Sequence, residues 1–96
     1  MKTYFVDSFT NQKFKGNPAA VCIMENDLDN ITMQNIATEI GFSETAFIKK
    51  ISGNTYSIRF YTPQKEIALC GHATLASSKI IFNTTELENI NFINCG

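Results

Sequence analysis

Between Gly71 and Asn83 the sequence GHATLASSKIIFN carries a single formal charge, Lys79. The stretch from Leu69 to Phe82 has helical length and no proline. Ala73, Ala76, Ser77 and Ile80 share one face of that helix, while Leu75, Ile81 and Phe82 occupy others. A helix that is apolar or small on every side has no face for solvent and has to be enclosed. Its small residues let strands approach closely. The expectation is an α+β fold in which a curved, mixed or antiparallel, barrel-like sheet wraps a central helix.

The remaining segments supply the strands. Residues 2–9 are rich in Tyr, Phe and Val, and FKGNP (14–18) is a turn, with the residue before Pro18 pushed away from helix. AAVCIM (19–24) is a continuous apolar run of strand length, as a strand buried on both faces requires. Asp29 is placed to cap a helix whose Met33, Ile36, Ala37 and Ile40 share one face, with Gly41 as its stop. ETAFIKKI (44–51) and TYSIRFYT (55–62) are strands joined by the turn SGN. In the second, Tyr56, Ile58 and Phe60 point one way and Ser57, Arg59 and Tyr61 the other. KEIALC is a short strand and INFIN a last one. The predicted order is β-β-α-β-β-β-α-β, one domain over residues 1–96.

Composition excludes several classes. Net charge is −1, with no basic cluster to attract nucleic acid or an anionic membrane. No apolar run approaches the ~20 residues of a membrane-spanning helix, and Asp7 interrupts an N-terminal run already too short for a signal peptide. Cys22, Cys70 and Cys95 form no disulfide framework, and one His without a Cys pair makes no zinc site. These features place the protein, reduced, in the cytoplasm.

The chemistry-bearing residues cluster where the short strand ends and the uncharged helix begins. The first N–H groups of a helix lack internal partners and carry partial positive charge, so Cys70, Gly71 and His72 mark a site for a carboxylate or a developing enolate. Gly71 leaves room for a ligand to approach the backbone. A thiol there is expected to have its pKa lowered. Against this, a lone buried Cys is ordinarily a small hydrophobe, and a lone His at a helix start is ordinarily a cap. Glu44, in GFSETAF, is a general-base candidate if its carboxylate turns inward, and a solvated turn residue if it does not.

Taken in order, VDSFT, GNPAAV, MQNIATEIGFSETAFI, YSIRFYTP, EIALCGHATLAS and INFINCG resemble the PhzF-like phenazine-biosynthesis protein family, which shares the diaminopimelate-epimerase fold. The resemblance runs through essentially the whole chain. It implies a cofactor-independent isomerase acting on a small carboxylated substrate, with no metal. Glu44 would be the base or proton shuttle and His72 its assistant. Gly71, Asn17 and Ser43 would bind substrate. In racemase and epimerase relatives the cysteine aligned with Cys70 carries the α-proton, whereas the phenazine isomerase lacks this thiol. Family members have two facing halves, and this sequence corresponds to the N-terminal one. The expectation is therefore a missing C-terminal half or a homodimer that imitates it, with the isolated monomer inactive. The alternative is a non-catalytic binding or assembly domain that keeps the fold.

Overall fold

The computed structural model describes residues 1–6 and 18–94. The FKGNP turn, apart from Pro18, lies outside them, as do Asn17 and Cys95. Six strands and two helices follow in the predicted order: β1 (Lys2–Val6), β2 (Ala19–Ile23), α1 (Asn30–Ile40), β3 (Glu44–Ser52), β4 (Thr55–Tyr61), β5 (Glu66–Ile67), α2 (Gly71–Thr84) and β6 (Asn91–Asn94).

The strands form one mixed sheet in the order β1-β2-β3-β4-β5, with β6 also on β4. β2 and β3 are parallel, Ala19 beside Glu44, and α1 makes the crossover between them. β3 and β4 are an antiparallel hairpin in which Ser52 pairs with Thr55. Gly53 stands at φ 53° in that turn, a left-handed conformation that favours glycine.

Successive side chains of a strand point to opposite faces, and each face of this sheet carries one helix. On one face Ala19, Val21, Ala46, Ile48, Ile58 and Phe60 pack against Ala73, Ala76 and Ile81 of α2. On the other, Cys22, Phe47 and Tyr61 pack against Met33 and Ala37 of α1. β2 is buried on both faces, as its unbroken apolar run predicts. The ends of α1 also match the sequence. Asp29 Oδ1 accepts the Thr32 N–H at 2.7 Å, and Gly41, at φ 77°, donates its N–H to the Ala37 carbonyl at 3.0 Å.

Two expectations need correction. The sheet is open rather than barrel-like, because β1 does not meet β5 or β6 among the described residues. A barrel that closes around side chains takes about eight strands, and the six described here cover only one flank of α2. Consequently α2 is not enclosed on every side. Ala73, Ala76, Ser77 and Ile81 are buried, while Leu75 is 56% and Phe82 42% exposed. Ile81 is the fully buried member of its pair, and Ile80 is partly buried beside it.

The small polar residues of α2 are accommodated in another way. Thr74, Ser77 and Ser78 each donate a hydroxyl to the carbonyl four residues earlier, at 2.9, 2.7 and 3.0 Å, and Thr84 does the same at 2.8 Å. A hydroxyl satisfied by its own helix can be buried without another partner. That is how Ser77 occupies a fully buried position.

Candidate functional site

Glu44 opens β3, and by alternation it belongs with Ala46 and Ile48 on the face that α2 covers. The start of α2 lies on that same face. Cys70 is the N-cap of α2, 8% exposed, and packs in the same apolar cluster as Ala19 and Ala46. The sheet thus brings Glu44 and Cys70, distant in sequence, close enough for the carboxylate to act on the thiol electrostatically. Ser43 Oγ donates to Glu44 Oε2 at 3.1 Å.

The Cys70 thiol is pushed up from its ordinary pKa, opposite to the expected lowering. Desolvation by burial is the largest cause, and the nearby Glu44 carboxylate adds to it. The backbone N–H groups of Ala73 and His72 pull the other way. That pull is outweighed by burial. Burial thus favours the protonated thiol over the thiolate.

Gly71 and His72 begin the helix and are exposed. A Cβ at Gly71 would meet nothing within 4 Å, so the backbone of the first turn is open to a ligand. The His72 imidazole makes no hydrogen bond to Glu44 or Cys70 among the described residues. The structure therefore joins Ser43 and Glu44 through side chains, sets Cys70 near them at the start of α2, and places His72 next along the helix. Asn17 lies outside the described residues.

A second polar cluster, not singled out in the sequence, occupies the α1 face. Arg59 Nε and Nη2 donate to Glu66 Oε2 and Oε1 at 2.8 and 2.7 Å, and the Tyr61 hydroxyl is 3.4 Å from Glu66 Oε1. Arg59 holds the Glu66 carboxyl below its usual range, while burial raises the Tyr61 phenol. The only sequence signal for this cluster is that Arg59 and Tyr61 share a strand face. A cavity of about 410 Å³ between α1 and the β4–β5 turn adjoins it, lined by Ile31, Gln34, Tyr61, Lys65 and Glu66 among others. It lies on the opposite side of the sheet from Glu44. Among the described residues no group of three His, Cys, Asp or Glu side chains could hold a metal ion. No helix there is long and apolar enough to cross a membrane.

Comparison with known proteins bears on the same region. The family described as phenazine biosynthesis-like protein (PhzC-PhzF) matches residues 6–93. An uncharacterized isomerase of Halalkalibacterium halodurans is 53% identical over 87 residues, covering 91% of this chain and 31% of that protein. A human phenazine biosynthesis-like domain-containing protein is 44% identical over 95 residues, covering 92% of this chain and 32% of its own length. The crystal structure of a PhzF-family protein from Enterococcus faecalis superposes with a TM-score of 0.85 at 46% identity, covering 97% of this chain and 36% of that one. The chain thus spans about a third of the length of these relatives. With the motifs, the strand order and the matched residues in agreement, the chain belongs to the phenazine biosynthesis-like (PhzC-PhzF) protein family.

Proposed function

We propose that this chain forms one wall of a cofactor-independent isomerase that removes and returns a proton at carbon in a small carboxylated substrate. The observation that carries the reading is the convergence of Glu44 on the open first turn of α2. A carboxylate held beside unpaired helix N–H groups places a base next to the charge that proton removal creates. Glu44 is the base. The amides at Gly71 and His72 receive the substrate carboxylate or the developing enolate, and the His72 imidazole assists proton transfer from the rim. Ser43 steadies the Glu44 carboxylate, and Asn17 adds a substrate contact. The isomerase description of the Halalkalibacterium relative supports the reaction class.

Glu44 is partly exposed, and Gly71 and His72 are open to solvent. Proton abstraction at carbon needs a shielded and oriented substrate, and orientation is worth up to ~7–11 kcal/mol. The opposite wall therefore comes from a C-terminal half or a second copy in the cytoplasm, and the isolated monomer is inactive. The test is solvent-deuterium incorporation into a panel of small unsaturated and amino-acid carboxylates, run with sizing. Exchange by an assembled form that disappears in Glu44→Gln supports the assignment. Turnover by a demonstrated monomer, unchanged in Glu44→Gln, overturns it.

A further inference from the structure

We infer that the cavity between α1 and the β4–β5 turn is a binding site for a small carboxylate with an apolar body, separate from the Glu44 region and on the opposite side of the sheet. The inference does not depend on the reading of Glu44 as a base.

The cavity, about 410 Å³, falls within the range of ~300–1,000 Å³ that small-molecule sites occupy. A buried phenol borders it. Tyr61 is 2% exposed, and the one polar neighbour of its hydroxyl among the described residues is Glu66 Oε1 at 3.4 Å. That is long for a hydroxyl, which ordinarily sits about 2.7–2.8 Å from its acceptor. The same oxygen already accepts Arg59 Nη2 at 2.7 Å. The phenol therefore meets the cavity with most of its hydrogen-bonding capacity unused. A buried polar group in that condition costs stability, and a ligand oxygen in the cavity supplies the missing partner.

The lining sets the sign of the ligand. Its carboxylate, Glu66, is neutralised by two hydrogen bonds from Arg59. The nearby Asp29 carboxylate accepts the Thr32 N–H and stands outside the lining. Lys65 lines the cavity, is exposed, and has no carboxylate partner among the described residues. The uncompensated charge is therefore positive, which favours an anion. The side-chain amides of Asn35 and Gln64 are likewise uncommitted, whereas Gln34 Nε2 donates to the Thr62 carbonyl at 3.0 Å. Ile31 supplies apolar surface beside the Tyr61 ring. It lies off the Met33–Ala37 face of α1, is 73% exposed and belongs to neither core cluster, so its apolar side chain is free to cover a ligand.

The test is a titration of the protein with benzoate, benzyl alcohol and benzylammonium, followed in proton–nitrogen correlation spectra. Benzoate should shift the amides of residues 30–35 and 61–66 saturably, with a Kd on the order of 1 mM for so small a ligand. Benzyl alcohol and benzylammonium should bind about fivefold more weakly or worse, the difference that one exposed ion pair makes. Lys65→Met should bring benzoate down to the level of benzyl alcohol, and Tyr61→Phe, which keeps the ring, should also weaken it. Lys50→Met, at an exposed lysine on the α2 side of the sheet, should leave it unchanged. The inference is overturned by the absence of saturable shifts up to about 20 mM benzoate, by shifts confined to the start of α2, or by equal affinity for benzylammonium. Unchanged benzoate affinity in Lys65→Met or in Tyr61→Phe overturns it as well.

Discussion

Arg59 and Glu66 face each other across β4 and β5 through two parallel hydrogen bonds of 2.8 and 2.7 Å. Such a fork fixes both planes at once. Because Glu66 is held below its usual pKa, its contribution to stability is fully present above the unfolded carboxylate value of about 4.3 and is lost as pH falls through the folded value. Both side chains are about a fifth to a quarter exposed, so solvent screening limits the pair to about 1 kcal/mol. Arg59→Met is expected to be less stable than wild type by that amount at pH 7, with the difference shrinking as pH falls through the lowered Glu66 value. Urea melts across pH check it, and a difference that grows in acid would contradict the assignment.

Gly71→Ala should separate folding from binding. The added methyl enters open space and no backbone strain is involved, so the melting temperature should hold or rise slightly, since Ala favours helix over Gly by up to ~1 kcal/mol. Deuterium exchange catalysed by the assembled protein should nonetheless drop, because the methyl occupies the approach to the first-turn amides. Full activity in this variant would remove the helix start from the site.

Adjacent positions on α2 should respond in opposite ways. Ala76 is 1% exposed against the sheet, so Ala76→Leu overpacks the core and is expected to cost roughly 1–3 kcal/mol. Leu75 faces away, and Leu75→Gln should change the stability of this chain by less than about 0.5 kcal/mol. Denaturant midpoints of the two variants test the one-sided packing of α2, and equal losses would refute it.

Thr45 is fully buried, and its hydroxyl has no partner among the described residues. An unpaired buried hydroxyl costs about 1–3 kcal/mol. Thr45→Val, nearly the same in shape, is expected to raise stability by about 1 kcal/mol in urea unfolding. A loss of that size would mean that the hydroxyl is satisfied in solution.

Much of this fold is written in local patterns. The Asp29 cap, the Gly41 stop, the Met33–Ala37 face and the alternation of Tyr56, Ile58 and Phe60 depend on residues within a turn or a strand, so the sequence displays them directly. The burial of α2 was misread because an uncharged helix can arise in two ways. Enclosure is one; hydroxyls bonded to their own backbone are the other, and Thr74, Ser77, Ser78 and Thr84 use the second. The Cys70 pKa was misjudged for a similar reason. The helix start is legible in the sequence, but the desolvation that outweighs it comes from burial in the core cluster that the sheet and α2 form together. The Arg59–Glu66 pair also depends on strand pairing, here between β4 and β5.

Along its far edge, β4 is divided between two short partners: β5 at Phe60 and Tyr61, and β6 from Thr55 to Ile58. A strand of seven residues, TYSIRFY, has the aromatic and β-branched content that templates fibrils when its edge is bare. With two chaperoning strands in place it offers no continuous run of backbone donors and acceptors to a stranger. A chain cut before Asn91 uncovers the Thr55–Ile58 half and is expected to seed thioflavin-positive fibrils at concentrations where the full chain stays clear. The last described strand thus withholds from other copies an edge of β4 that the sheet would otherwise offer.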